Sequence, residues 1–163
     1  MHRMRAVKEA LAWRPVPGLL QDRHFWLAAA AGVMVWGVMW VTLPLAPASL
    51  KQLFGWPYLY LVFITPLLEE LSFRGALMGW FRDYAWGRTR VAGAITRANL
   101  MASVLFCAVH FIYHPPMWAA AVFVPSLVFG HLRDRTRSVI PPILMHCWYN
   151  AGYFALAGAG QLG

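Results

Sequence analysis

The sequence predicts an all-α protein, a polytopic transmembrane bundle of about five membrane helices, on three observations. Hydrophobic residues make up 60% of the 163 positions and charged residues only 12%, too apolar for a water-soluble domain of this length. The charges are bunched, with none in 25–50, 52–68, 98–132 or 138–163. Arg and Lys crowd the segments between these apolar runs, which is where membrane proteins carry their topology signals. A net charge of +8 invites a nucleic-acid reading, but the basic residues form no single patch interleaved with aromatics. The expected partner is therefore a lipid bilayer and no nucleic acid. Two cysteines, Cys107 and Cys147, are too few for a disulfide framework or a multi-cysteine metal site. The start, MHRMRAVKEALAWRPVPG, lacks the short apolar core and small-residue cleavage site of a secretory signal. Residues 1–24 are accordingly expected to form a basic cytoplasmic segment and 25–163 a single transmembrane helical domain.

The elements follow in order. Helix one is predicted over 25–43, which holds no charge and is followed by the breakers Pro44 and Pro47. A second apolar run opens near Phe54, is interrupted by Glu69, Glu70 and Arg74, and resumes over 75–81. A lipid-facing helix would not carry those charges. A third span covers 98–113 and closes at Pro115-Pro116; a fourth covers 117–132 and contains Pro125; a fifth covers 139–159, with Pro141-Pro142 near its start. The third and fourth are short for a hydrocarbon core of about 30 Å. Basic residues fall before helix one, after helix two (Arg82, Arg88, Arg90, Arg97) and after helix four (Arg133, Arg135, Arg137), so every second loop is basic. The positive-inside rule then puts the N-terminus in the cytoplasm and the C-terminus outside. No internal repeat is visible. Trp13, Trp26, Trp56, Trp86 and Trp118 lie at segment ends and read as interfacial anchors, and Arg133 to Arg137 as an interfacial stop-transfer cluster.

Ionisable groups within a bilayer cost about 2.5–3.5 kcal/mol each on insertion scales, so those retained mark a functional site by default. They cluster as Glu69-Glu70-x-x-x-Arg74, Phe106-x-x-x-His110 and His146-x-x-x-Asn150. Glu70 and Arg74 share a helical face and can pair, whereas Glu69 is turned about 100° away. The bland reading is a structural charge network, but one cation answers only one of two adjacent carboxylates. Phe106 sets an aromatic ring one turn below His110. His146 and Asn150 place two donors on one face, the kind of pair that stabilises an oxyanion, though interhelical hydrogen bonding alone would also retain them.

These three motifs in this order resemble the CPBP family of intramembrane proteases, also called the CAAX protease and bacteriocin-processing or Abi family. Gly75 after Arg74, and the run from Phe129 through Pro141-Pro142 to His146, extend the resemblance to about 53–152. Helix one lies outside it, and the chain is short beside longer members that place further helices around the core. The resemblance implies an integral membrane protein, expected in a prokaryotic plasma membrane. It also implies cleavage of a membrane-anchored or membrane-proximal peptide or protein by water activated by glutamate and histidine. Glu69 is then the general base, assisted by His110; Glu70 and Arg74 form the supporting pair; Phe106 supports the substrate side; His146 and Asn150 bind the oxyanion. Prenylated tails, leader peptides and sorting helices are all compatible substrates. No cofactor or metal is expected, and the motifs imply no oligomeric state.

The same residues offer rival chemistries. His110, His146 and one glutamate would make a zinc-dependent version with an open position, but His-Glu-x-x-His is absent and His114, followed by Pro115, reads as a helix end. Cys107 and Cys147 are offset from the motif faces and read as small apolar packing. Ser72, Ser103 and Ser126 lack the glycine-rich turn of a serine nucleophile. A non-catalytic immunity factor or chaperone of the same fold is the alternative from another class. A small transporter would usually show a duplicated fold.

Overall fold

The computed structural model describes residues 11–158, and helix dominates them. The chain divides into two compact units, Met1–Pro17 with Glu69–Ile143 and Gly18–Leu68 with Leu144–Gly163. Of the three points where the chain passes from one unit to the other, those after Leu68 and Ile143 fall inside helices and the one after Pro17 in a turn.

In the Gly18–Leu68 and Leu144–Gly163 unit, α1 spans Arg23–Thr42. Asp22 caps it by accepting from the His24 amide at 2.8 Å, and it ends before Pro44, as the sequence predicts within two residues. Its buried residues Phe25, Ala28 and Gly32 recur at helical spacing. Ala28, Ala29 and Gly32 meet the final helix, α9 (Ile140–Ala157): Tyr149 Oη donates to Ala28 O at 2.8 Å, Trp148 Nε1 to Ala29 O at 3.2 Å, and a side chain on Gly32 would collide with the Tyr149 ring. Much of the rest of α1 is exposed and apolar, including Leu27, Met34, Val38 and Val41.

A one-turn helix, α2 (Leu50–Leu53), closed by a Ser49–Gln52 capping box, leads into a long helical run made of pieces. These are α3 (Trp56–Leu59), a π turn over Tyr60–Ile64, α4 (Thr65–Glu70), a second π turn over Leu71–Leu77, and α5 (Met78–Asp83). Pro66 accounts for the first π turn. It has no N–H to give, and the Thr65 amide donates to Tyr60 O, so the Leu61 carbonyl loses both of its helical donors. Asn150 Nδ2 answers that carbonyl at 2.9 Å, and Tyr58 Oη donates to Ala151 O at 3.0 Å.

In the other unit, a short 3₁₀ turn over Ala85–Arg88 and an antiparallel hairpin, β1 (Arg90–Ala92) with β2 (Ile95–Thr96), replace the plain basic loop expected after the second span. Then follow α6 (Arg97–Tyr113), α7 (Pro116–Ala121) and α8 (Phe123–Thr136). The expected fourth span is two helices that meet at Val122, because Pro125 denies the Ala121 carbonyl its donor. Met78, Phe81, Ala98 and Ala102 form the apolar core. Beside it α6 and α8 are tied by Asn99, whose Nδ2 donates to Leu127 O at 3.0 Å and whose Oδ1 accepts from Ser103 Oγ at 3.2 Å. Gly130 leaves the space that the Asn99 amide fills.

The membrane expectation receives a narrower answer. Among the described residues one helix, α1, is by itself long and apolar enough to cross a bilayer, with a mean hydropathy of 1.7 and 11% of that stretch buried. The second expected span is interrupted by its π turns and charges, α6 has 17 residues, and the fourth is split. The fifth, α9, has the length but carries Pro141, Pro142, His146 and Asn150. The segments expected at 1–10 and 159–163 lie outside the described residues.

Candidate active site

The second π turn carries the Glu69 to Arg74 motif. A π turn is wider than an α turn and is often found where function requires it; here the Met78 amide donates to Phe73 O, five residues back. Arg74 Nη1 donates to Glu70 Oε1 at 3.0 Å, and neither side chain has any exposed surface. The i,i+4 spacing legible in the sequence therefore does make the pair. The Glu69 carboxylate, half-buried, acts on the same guanidinium through space, less strongly than Glu70.

The sequence did not announce what else holds Arg74. Its Nη2 donates to Ser126 Oγ at 2.5 Å and to Ser126 O at 3.1 Å. Its guanidinium lies 4.5 Å from the Phe106 ring centroid and 5.6 Å from that of Phe129, within cation–π range of both. The Arg74 carbonyl accepts from Arg133 Nε at 3.1 Å. Arg133 is 6% exposed, and Asp134 pairs with Arg82 and accepts from Thr96 Oγ1 at 2.7 Å. Of the expected interfacial cluster, Arg133 is thus buried framework, while Arg135 and Arg137 are exposed. The available signal was the Phe129-to-His146 stretch, whose motif-like character extends through Arg133.

Phe106, buried, packs edge-on against Phe73 at 5.1 Å and lies 4.4 Å from the His110 ring. His110 is half-buried, and its Nδ1 lies 2.8 Å from Phe106 O. A carbonyl can only accept, so Nδ1 carries the proton in the neutral ring and Nε2 is left with a lone pair. His110 continues into an aromatic layer: it stacks with His114 at 5.7 Å, and His114 packs on Trp118 at 4.2 Å. Trp118 also lies 5.7 Å from His110 and is half-buried. Trp13, Trp26, Trp56 and Trp86 are exposed. Cys107 Sγ donates to Ala119 O at 3.1 Å, the packing role expected of it.

One unit therefore brings together Glu70, Arg74, Phe106 and His110, with Glu69 beside them. His146 and Asn150 belong to the other. There His146 is buried and Asn150 is committed through one amide hydrogen to Leu61 O. Among the described residues, no three His, Cys, Asp or Glu side chains group so as to hold a metal ion.

A family model described as type II CAAX prenyl endopeptidase Rce1-like matches residues 51–152. An uncharacterized 24.3 kDa protein of Escherichia coli is 33% identical over 145 residues, covering 81% of this chain. The chain spans 64% of the length of that curated relative. No solved structure matches. The matched region begins just before the run that carries Glu69, Glu70 and Arg74 and ends two residues after Asn150, so all three motifs fall inside it. This chain belongs to the Rce1-like family of type II CAAX prenyl endopeptidases, a family of membrane-associated proteases.

Proposed function

We propose that the protein is an intramembrane endopeptidase that hydrolyses a peptide bond in a membrane-anchored substrate by activating water between Glu69 and His110. The single observation that carries this reading is the 2.8 Å approach of His110 Nδ1 to the Phe106 carbonyl. With Nδ1–H committed to the Phe106 carbonyl, Nε2 is the ring atom able to accept a proton. The buried Glu70–Arg74 pair fixes the turn that presents Glu69. In the proposed step the Glu69 carboxylate takes a proton from water as its oxygen attacks the scissile carbonyl carbon. The oxyanion that forms is met by His146 and Asn150, a role given to them by the order of the motifs and by their donor chemistry. Collapse of the tetrahedral intermediate breaks the C–N bond, and the proton held by Glu69, or relayed through His110, goes to the leaving amine.

The bilayer reading is supported by apolar surface that water would penalise. Beyond α1, large apolar side chains of α6 including Val104, Val109, Phe111 and Ile112 are exposed, and so are Leu68, Val124 and Leu144. With the alternating basic loops this supports five spans with the N-terminus in the cytoplasm. The test is cleavage of a library of membrane-anchored peptides, prenylated and unprenylated, by the purified protein in detergent. Site-specific products from the wild type support the reading. Intact peptides throughout would leave the non-catalytic alternative of the same fold.

A further inference from the structure

The unit that carries Glu70 and Arg74 also contains a cavity of about 590 Å³ lined by five arginines, Arg14, Arg82, Arg88, Arg133 and Arg137, against one carboxylate, Asp83. The chain takes trouble to assemble them. Val139 N donates to Ala12 O at 3.0 Å and Ser138 Oγ to Arg14 O at 2.5 Å, which pins the 11–14 segment to the end of α8 and brings Arg14 to the same cavity as Arg137. Asp134 answers Arg82. Among the described residues, the five guanidinium groups set against Asp83 and Asp134 leave a formal charge of +3.

Two further observations show that this crowding works against the chain. Burial first, and then repulsion from Arg82, Arg137 and Arg14, push Arg133 down to about 10; burial, Arg137 and Arg88 lower Arg82 in the same way. Arg137 also ends α8 in the left-handed region, at φ 57° and ψ 22°. That is the helix-end position glycine fills most easily, because a side chain there is strained. The chain keeps a side chain at a strained position, and its guanidinium lines a cavity already rich in like charge. Strain of this kind persists where function uses it.

We propose that this cavity binds a phosphate-bearing anion, the chemistry shared by an anionic phospholipid headgroup and a free diphosphate. Guanidinium forks match phosphate oxygens in paired, charge-assisted hydrogen bonds, and Arg14, Arg88 and Arg137 are exposed at the open side of the cavity. Trp80 on the lining is half exposed, as indoles at headgroup level are. The inference does not depend on the proteolytic reading.

The test uses the full chain in neutral detergent at low salt, with two probes: inorganic pyrophosphate, and phosphatidylglycerol compared with phosphatidylcholine in mixed micelles. Binding is read by calorimetry for the first and by retained lipid in native mass spectrometry for the second. Arg14→Ala/Arg137→Gly removes two cavity charges and relieves the strained cap, so the unliganded variant should melt no lower than wild type while its affinity drops roughly tenfold or more. Arg14→Gln/Arg137→Asn, which keeps polar side chains and a residue tolerant of the left-handed region, should behave alike. Arg90→Ala/Arg97→Ala removes the same charge from exposed positions outside the cavity and should bind as wild type does. Selective retention of phosphatidylglycerol alone identifies a lipid headgroup, binding of pyrophosphate alone a soluble anion, and binding of both the phosphate itself; each supports the proposal when lost in the two cavity variants. No binding of either probe, or equal weakening in the Arg90/Arg97 control, would overturn it.

Discussion

Arg74 donates to Glu70 at 3.0 Å with both side chains wholly buried, and the same guanidinium reaches Ser126 at 2.5 Å, fifty-two residues along the chain. One cation thus ties the glutamate turn to the start of α8 while two aromatic rings cover it. Buried pairs are held in place less by their mutual attraction than by the penalty of removing one partner.

Glu70→Gln should therefore cost about 3–5 kcal/mol, because it strands the Arg74 charge. Replacing both residues by apolar ones, Glu70→Leu/Arg74→Met, should recover most of the melting temperature and none of the proteolysis. A double variant no more stable than Glu70→Gln would refute the pairing as the source of the loss.

Ser126→Ala removes the Arg74 hydroxyl acceptor but leaves the Ser126 carbonyl in place. A hydrogen bond to a charged group is worth about 1.5–3 kcal/mol, so a drop in stability of that size is expected. Ser126→Thr, which keeps the hydroxyl, should fall by less. Identical unfolding of Ser126→Ala and wild type would mean that the hydroxyl carries no load.

Asn150 has two duties in this account, and they separate experimentally. Its amide satisfies the Leu61 carbonyl that Pro66 orphans, so Asn150→Ala should lower the melting temperature. Pro66→Ala, which restores an N–H at position 66, should lessen that sensitivity. If Asn150 also meets the oxyanion, kcat should fall about 10²–10³-fold at a temperature where the variant is folded, with KM little changed. A fragile variant of full activity would keep the first duty and remove the second.

The glutamate reading also predicts undiminished turnover in excess chelator. Stoichiometric zinc in the purified protein, with activity lost on its removal and regained on its return, would transfer the chemistry to a metal-bound water.

What the sequence made legible was local. The α1 boundaries follow from an uncharged run between Asp22 and Pro44, and the Glu70–Arg74 pair from a spacing of four. Pro125 is visible in the sequence, but a proline alone does not say whether a helix bends or breaks, as this one does at Val122. Neither π turn was foreseen, since periodicity assumes a constant turn and a π turn is a local departure from it. Contacts between distant segments left no pattern at all: Ser126 looked like an unused hydroxyl, and Arg133 like one basic residue in an interfacial cluster. Only the fold shows that Ser126 binds Arg74 and that Arg133 caps its carbonyl. The motifs named the candidate chemistry, while the residues that hold Arg74 emerged from packing.

The central claim is that Glu69 activates water, and the most direct measurement is single-turnover cleavage of a membrane-anchored peptide by Glu69→Gln beside wild type in the same bilayer. The amide keeps the shape and hydrogen-bonding reach of the side chain and removes the base. The account predicts a variant that inserts, melts close to wild type and retains substrate, with cleavage abolished. Cleavage at the wild-type rate by Glu69→Gln would contradict it.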